Sequence, residues 1–312
     1  MLMRRRVRNA MKALAGSAFR IGQRFGIDVL PRHFYSAVPD MRDLRRTTHW
    51  REPRSMVGVQ GTETAGQLAF VASCCAPEIV ERLRQNDVHS HAVAENGEGG
   101  YGPTEADFLY AVIRARRPAR VVQVGAGVST AIILMASRDG GFPIDLVCVD
   151  PYPTDYLRRA QADGRVRLIA RKAQEVELSQ LTDVGENGLL FVDSTHTVRV
   201  GSEVNRIVLE VLPRLARGTL VHFHDIFFPY DYSPDVLRST LFWTESTLLH
   251  AFLVGNGRYT LRTSMSMLHY AAPDRLKAFL PNYTPAPHDH GLQPSRAIGH
   301  FPSAAYLEAI GD

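Results

Sequence analysis

Two apolar runs in the middle of the chain end in ionisable side chains. Gly188-Leu189-Leu190-Phe191-Val192-Asp193-Ser194-Thr195-His196 closes on an aspartate with a histidine three residues further on. Leu220-Val221-His222-Phe223-His224-Asp225 closes on two histidines and a second aspartate. Carboxylate oxygens and imidazole nitrogens are donors for a divalent cation, which makes Asp193, His224 and Asp225 candidate metal ligands. An imidazole that titrates near neutrality can also take a proton from a substrate hydroxyl, and His196 is placed for that role as the candidate catalytic base. Strand alternation sends His222 and His224 to one face and Asp225 to the other, unless the chain bends at the strand end. His222, the most interior of the group, reads better as a hydrogen-bonded structural histidine. Phe227, Phe228, Tyr230, Tyr232, Phe242 and Trp243 follow, fitting either an aromatic-tolerant acceptor pocket or packing beneath a loop.

A second constellation lies upstream, in Arg120-Val121-Val122-Gln123-Val124-Gly125-Ala126-Gly127-Val128-Ser129-Thr130. A β-branched run ends in two glycines that let the backbone turn and approach a ligand, before Ser129 or Thr130 opens a helix. The next apolar run, Leu146-Val147-Cys148-Val149, ends at Asp150, where a dinucleotide fold puts the acid that binds ribose hydroxyls. Together they suggest an adenosine-type ligand over the carboxyl ends of parallel strands, against the simpler reading of a tight turn and a surface aspartate. A G-x-G-x-x-G fingerprint would need glycine at Thr130, which counts against a nicotinamide enzyme. Glu98-Gly99-Gly100-Tyr101-Gly102-Pro103 is a flexible loop one helix upstream; it fits a flap over the ligand, which places Tyr101 among the cofactor candidates, or a simple connection.

The elements that must position these residues follow from periodicity. Strands are expected near 120–124, 145–149, 166–170, 188–193 and 219–224, with a further strand at Arg258–Arg262. Helices are expected near 129–138, 154–162, 174–181, 203–215, 235–254 and 272–280, and a short one at Ser303–Ile310. Thr104-Glu105-Ala106-Asp107 resembles a capping box ahead of Phe108, Leu109, Val112 and Ile113. Such alternation predicts an α/β fold: a Rossmann-like, doubly wound, mostly parallel sheet with helices on both faces, over residues 101–312. Residues 1–100 form a helical N-terminal extension. Within it, Val7, Met11, Leu14, Ala18, Ile21 and Phe25 recur at helical spacing among arginines, residues 31–53 read as a linker, and two short helices meet at Pro77.

Composition excludes several classes. The hydrophobic content of 45% supports a substantial core, and no run of the sequence is long enough to cross a membrane as an apolar helix. No secretory signal is seen and the three cysteines are not arranged for bridging, so a cytoplasmic location is expected. Residues 1–54 hold 13 Lys and Arg against 4 Asp and Glu, while the rest hold 23 against 28. The basic excess therefore belongs to the leader, and no nucleic-acid partner is expected. A basic amphipathic leader fits an anionic membrane surface, but equally a helix docked on the domain or on a second subunit of a homo-oligomer.

These residues resemble the class I S-adenosylmethionine-dependent methyltransferases of the methyltransferase-24 type, over about 101–263. Val122–Thr130 is similar to the family's first motif, Asp150 to its ribose-binding acid, and 188–196 and 215–232 to its fourth strand and to its fifth strand with the following loop. The resemblance implies a seven-stranded sheet and cofactor contacts from Gly125, Ala126, Gly127, Ser129, Asp150 and Asp193, with the adenine edge near Ala173 and Gln174. Gln123 stands where many members have an acid; its amide can accept a hydrogen bond but brings no charge. Asp193-Ser194-Thr195-His196 also resembles the Asp-x-x-His of metal-dependent macrolide sugar O-methyltransferases, which implies magnesium or another divalent metal at the aspartate and a base at the histidine. The function implied is O-methylation of a small hydroxylated acceptor, a sugar or secondary metabolite. A metal-independent N- or C-methyltransferase and a non-catalytic binding protein on the same fold are the alternatives, Gln123 favouring the last.

Overall fold

The computed structural model describes residues 14–30, 32–296 and 298–311. The chain divides into two compact units, one ending at Thr47 and one running from Thr48. In the first, residues 14–24 are helical, and residues 4–12 of the expected leader helix lie outside the described residues. A second helix, Met41–Arg46, is capped by Asp40, whose carboxylate accepts the Arg42 N–H at 3.0 Å. Among the described residues no helix is long and apolar enough to cross a membrane.

The second unit is built on a seven-stranded sheet: β1 (Arg120–Val124), β2 (Asp145–Val149), β3 (Arg167–Ile169), β4 (Leu189–Val192), β5 (Leu220–Phe223), β6 (Tyr259–Ser264) and β7 (Ala305–Ala309). Their order is β3-β2-β1-β4-β5-β7-β6, with β1 to β5 parallel and β7 antiparallel to both its neighbours. The chain reverses across the sheet between β1 and β4, so the crevice for a ligand opens at the carboxyl ends of these strands.

Period-two alternation sorts the strands onto two cores. Val121, Cys148, Phe191 and Tyr306 pack with residues of the helices Thr64–Cys74, Pro103–Arg116 and Val128–Gly140. Val122, Val147, Leu190, Val221 and Leu307 pack on the other face with Leu181, Val211 and Leu249. Helices thus cover both faces, as expected of a doubly wound sheet.

Three local expectations are corrected. The segment expected as a helix over 303–310 is β7. Ala305, Tyr306, Leu307 and Ala309 are buried in mid-sheet, and Glu308 meets Arg262 at 3.0 Å, so ladder pairing on both sides overrides the helical propensity of Ala, Leu and Glu. The helix over 235–254 is confined to Glu245–Leu253. Ahead of it, turns close on the Ser233 and Asp235 carbonyls, and Thr244 N and Glu245 N both donate to the His196 carbonyl at 2.9 and 3.1 Å. The helix Pro103–Arg116 starts without a capping box: Pro103 occupies its first turn, and the buried Glu105 carboxylate accepts the Ser303 N–H at 2.8 Å instead.

Candidate active site

β1 leaves the sheet through Gly125, whose φ of +78° is in the left-handed region, and a Cβ there would overlap the Asp193 carbonyl oxygen. Glycine at this position lets the exits of β1 and β4 touch. Asp150, just past β2, then organises the turn: its Oδ2 accepts the Ala126 N–H at 3.0 Å and its Oδ1 accepts the Tyr152 N–H at 2.7 Å. A cavity of about 380 Å³ opens over these strand ends, lined by Gly125, Asp150, Tyr152, Gln174, Asp193 and Arg199 among others. Its size and place suit a nucleoside-sized ligand.

Gln123 and Ser129 do not line this cavity. Gln123 is buried; its Nε2 donates to Ser129 Oγ at 2.6 Å, and its Oε1 accepts Thr130 Oγ1–H at 2.8 Å. Thr130 Oγ1 in turn accepts the Gly127 N–H at 3.1 Å. The amide that stands in place of an acid is thereby consumed in fastening the glycine loop to the helix Val128–Gly140. Ala126 and Gly127 form the turn itself, the first held by Asp150 and the second by Thr130.

Beside the cavity, four side chains converge. His196 Nε2 lies 3.3 Å from Asp193 Oδ1 and 3.7 Å from Asp225 Oδ2. His224 Nδ1 lies 3.3 Å from the same Asp193 oxygen and 3.6 Å from the same Asp225 oxygen. Asp225 joins its β5 neighbour His224 because the chain does bend: its φ is +54°, and Ser303 Oγ donates to its Oδ1 at 2.8 Å. His196 also has a positive φ, +55°, and departures of this kind in non-glycine residues gather at functional sites.

Burial opposes charge on both imidazoles, but the carboxylates outweigh it. Asp193 and Glu245 push His196 up to about 10, and Asp193 with Asp225 pushes His224 up to about 9. Burial likewise opposes the charge of Asp193, and the imidazoles of His224 and His196 still hold it well below the usual carboxylate range. Glu245 supports the cluster from behind, its Oε2 lying 2.9 Å from His196 Nδ1. Burial lifts the pKa of Glu245, and the His196 imidazole opposes that rise. His222, by contrast, stacks on Phe191 at 4.3 Å, meets the Tyr101 hydroxyl at 3.3 Å, and is driven well below its ordinary pKa first by burial and then by His224. It is the neutral structural histidine expected.

Tyr101 sits with its ring 4.7 Å from that of His224, at the cluster and not among the residues lining the cavity. Most of the aromatic run is packing: Phe227, Phe228, Tyr230 and Tyr232 are buried. Trp243 differs, half-buried and 4.9 Å from the His196 ring, stacked on Phe227. The residue that sequence reasoning missed is Glu245, hidden in what read as one long helix. Its signal is a carboxylate ahead of the apolar pair Leu248-Leu249, which a helix start explains equally well.

A ligand crevice at a strand-order reversal, an acid at the end of β2 and a polar cluster at the ends of β4 and β5 make up a Rossmann-like ligand site. Residues 122–226 match the family model described as a methyltransferase domain. The methyltransferase class read from the sequence agrees with that match. An uncharacterized protein of Archaeoglobus fulgidus is 26% identical over 165 residues, 50% of this chain and 74% of that protein. Among solved structures, the Podospora anserina methyltransferase PaMTH1 bound to S-adenosylhomocysteine is 19% identical, over 59% of this chain and 80% of its own, with a TM-score of 0.36. The O-methyltransferase TomG of Streptomyces achromogenes, in complex with S-adenosylmethionine, is 13% identical over 72% of this chain and 91% of its own, with a TM-score of 0.43.

Proposed function

We propose that the protein transfers the methyl group of S-adenosylmethionine to an oxygen of a small hydroxylated acceptor, bound where the cavity meets the Asp193, His196, His224 and Asp225 cluster. The observation that carries this reading is the double position of Asp193, which lines the cavity and is 3.3 Å from both imidazoles. The sulfonium donor already holds an activated methyl, so the protein has to align the acceptor oxygen and accept its proton. On this reading Asp150, which lines the cavity, binds ribose hydroxyls with the acceptor capacity its two backbone contacts leave over, and Gln174 borders the adenine. The cluster borders the acceptor hydroxyl on this reading, with Trp243 walling the side nearest His196. The cluster fits a divalent cation, because His224 Nδ1 is buried beside two carboxylates without a hydrogen bond. Such an ion would polarise the acceptor oxygen and lower its pKa. Titration calorimetry with S-adenosylhomocysteine, followed by methyl transfer from labelled S-adenosylmethionine to a panel of sugars and phenols, tests the reading. Binding without transfer to any hydroxyl, together with transfer to amines, would overturn its oxygen specificity; no binding would overturn all of it.

For the leader, the proposal is peripheral contact with an anionic membrane. Leu14, Ile21 and Phe25 are exposed beside Arg20 and Arg24. Cosedimentation with anionic but not with neutral vesicles, abolished by deleting residues 1–26, is the expected result; equal behaviour of the two chains refutes it.

A further inference from the structure

The four donor atoms of the cluster form a closed ring. Going round it, Asp193 Oδ1 to His196 Nε2 is 3.3 Å, on to Asp225 Oδ2 3.7 Å, to His224 Nδ1 3.6 Å, and back to Asp193 Oδ1 3.3 Å. Charge-assisted N–H···O bonds close to about 2.7–2.9 Å, so groups that merely paired with one another would have drawn together. Two donors that are each ~2.1 Å from one ion stand about 3.4 Å apart at a tetrahedral angle, which is the spacing of Asp193 Oδ1 from each of the two imidazole nitrogens. Asp193, His196 and His224 present donor atoms that all lie within 4.8 Å of one another, and Asp225 stands outside this compact set.

Two further observations point the same way. His224 Nδ1 is buried and makes no hydrogen bond, although it faces the ring. His196 Nδ1 is occupied by Glu245 at 2.9 Å, which leaves Nε2 as the atom aimed into the ring. A carboxylate behind an imidazole is the arrangement that fixes the tautomer of a metal-bound histidine.

We infer that this ring binds a first-row transition cation, such as Mn2+, Fe2+, Co2+ or Zn2+, through Asp193, His196 and His224 with Asp225 at its edge, and that it is not a magnesium site. The inference rests on the reading of the cluster as the acceptor end of the methyl-transfer site. Mg2+ takes oxygen donors in near-ideal octahedral geometry and retains water, whereas imidazole suits the later divalent ions. A dication also cancels the charge of the two ring carboxylates, which pairs them in a site largely shielded from water. His196 in this arrangement is a ligand, a role that its use as a free base excludes.

The test uses the full-length chain, stripped with a chelator and then equilibrated separately with Mn2+, Co2+, Zn2+ or Mg2+. Metal content after gel filtration is measured by mass spectrometry, and the Co2+ form is examined for visible d–d bands shifted by nitrogen donors. About one equivalent of a transition ion should remain, and no Mg2+. His196→Ala and His224→Ala should each weaken Co2+ binding at least tenfold, and Glu245→Gln by about 10–100-fold. His224→Gln serves as a second variant should the alanine form not fold, as judged by its melting curve. Retention of Mg2+ as tight as that of Co2+, or unchanged Co2+ affinity in His196→Ala, would overturn the inference, the latter restoring His196 as a base. Calorimetry with S-adenosylhomocysteine on the same samples separates the two levels. Normal cofactor binding with no metal retained sinks only the metal site, whereas absent cofactor binding sinks the methyltransferase reading.

Discussion

Replacing Asp150 by alanine separates cofactor recognition from stability. The carboxylate accepts two backbone N–H groups, from Ala126 at 3.0 Å and Tyr152 at 2.7 Å. Tyr152 is 81% exposed, so water can replace its lost acceptor at little cost. Ala126 is half-buried, and its unmatched N–H should cost about 1 kcal/mol of folding stability. Cofactor binding loses more, because hydroxyl donors to a carboxylate are charge-assisted. A loss of about 1–3 kcal/mol corresponds to roughly a 5–150-fold weaker Kd for S-adenosylhomocysteine. Calorimetry at a temperature well below the variant's melting point measures the second effect, and a denaturant titration the first. An unchanged Kd would refute the assignment. A stability loss of several kcal/mol with an unchanged Kd would make Asp150 purely a brace for the glycine loop.

Gly125→Ala should destabilise the fold by more than about 3 kcal/mol, since the new Cβ meets the Asp193 backbone at a positive φ; a melting curve within a few degrees of wild type would contradict this. His196→Ala should lower kcat by about 10²–10⁴-fold with cofactor affinity near wild type, whichever of its two roles holds; kcat within a few-fold of wild type would remove it from the chemistry. Asp107 tests burial by pH. Desolvation lifts its pKa from 3.8 to about 7, although Asn282 donates to it at 2.9 Å. Between those values the unfolded chain ionises while the folded one keeps the proton, so this contribution to stability is complete at low pH and lost as pH rises to about 7. Asp107→Asn should remove that slope, on the order of 4 kcal/mol at most between pH 4 and 8, and a wild-type-minus-variant difference independent of pH would refute the burial argument.

The parts of the fold legible in the sequence are those where one force acts alone. β1, β2, β4 and β5 are buried on both faces, so they stand out as short apolar runs, and β2, β4 and β5 each deliver a polar residue at the carboxyl end because that end borders the crevice. Asp150, Asp193, His196, His224 and Asp225 could be named on that ground. What distance and direction would do with them could not. Periodicity places Asp225 on the face opposite His224; only the bend at φ +54° returns it to the ring. Gln123 looks like a weakened cofactor contact until its amide is seen to be held by Ser129 and Thr130.

The deeper failures share one cause, contacts made far along the chain. Residues 305–309 have helical composition, yet they lie between β5 and β6, and these gain a full ladder only if the tail arrives as a strand. Glu245 belongs by sequence to an amphipathic helix and by structure to His196, 49 residues earlier. These two long-range arrivals meet at the site: Ser303, just ahead of β7, holds Asp225, while Glu245 holds His196. The strand ends supply the donor atoms, and the chain after β5 fixes their aim. Ending the chain at Pro302 therefore removes both the central ladder partner and the Asp225 brace. Such a protein should fail to fold as a soluble monomer, whereas a peripheral terminal helix could have been removed with little loss; a soluble, cooperatively melting truncated chain would show that β7 is dispensable and that the sheet tolerates an open edge at β5.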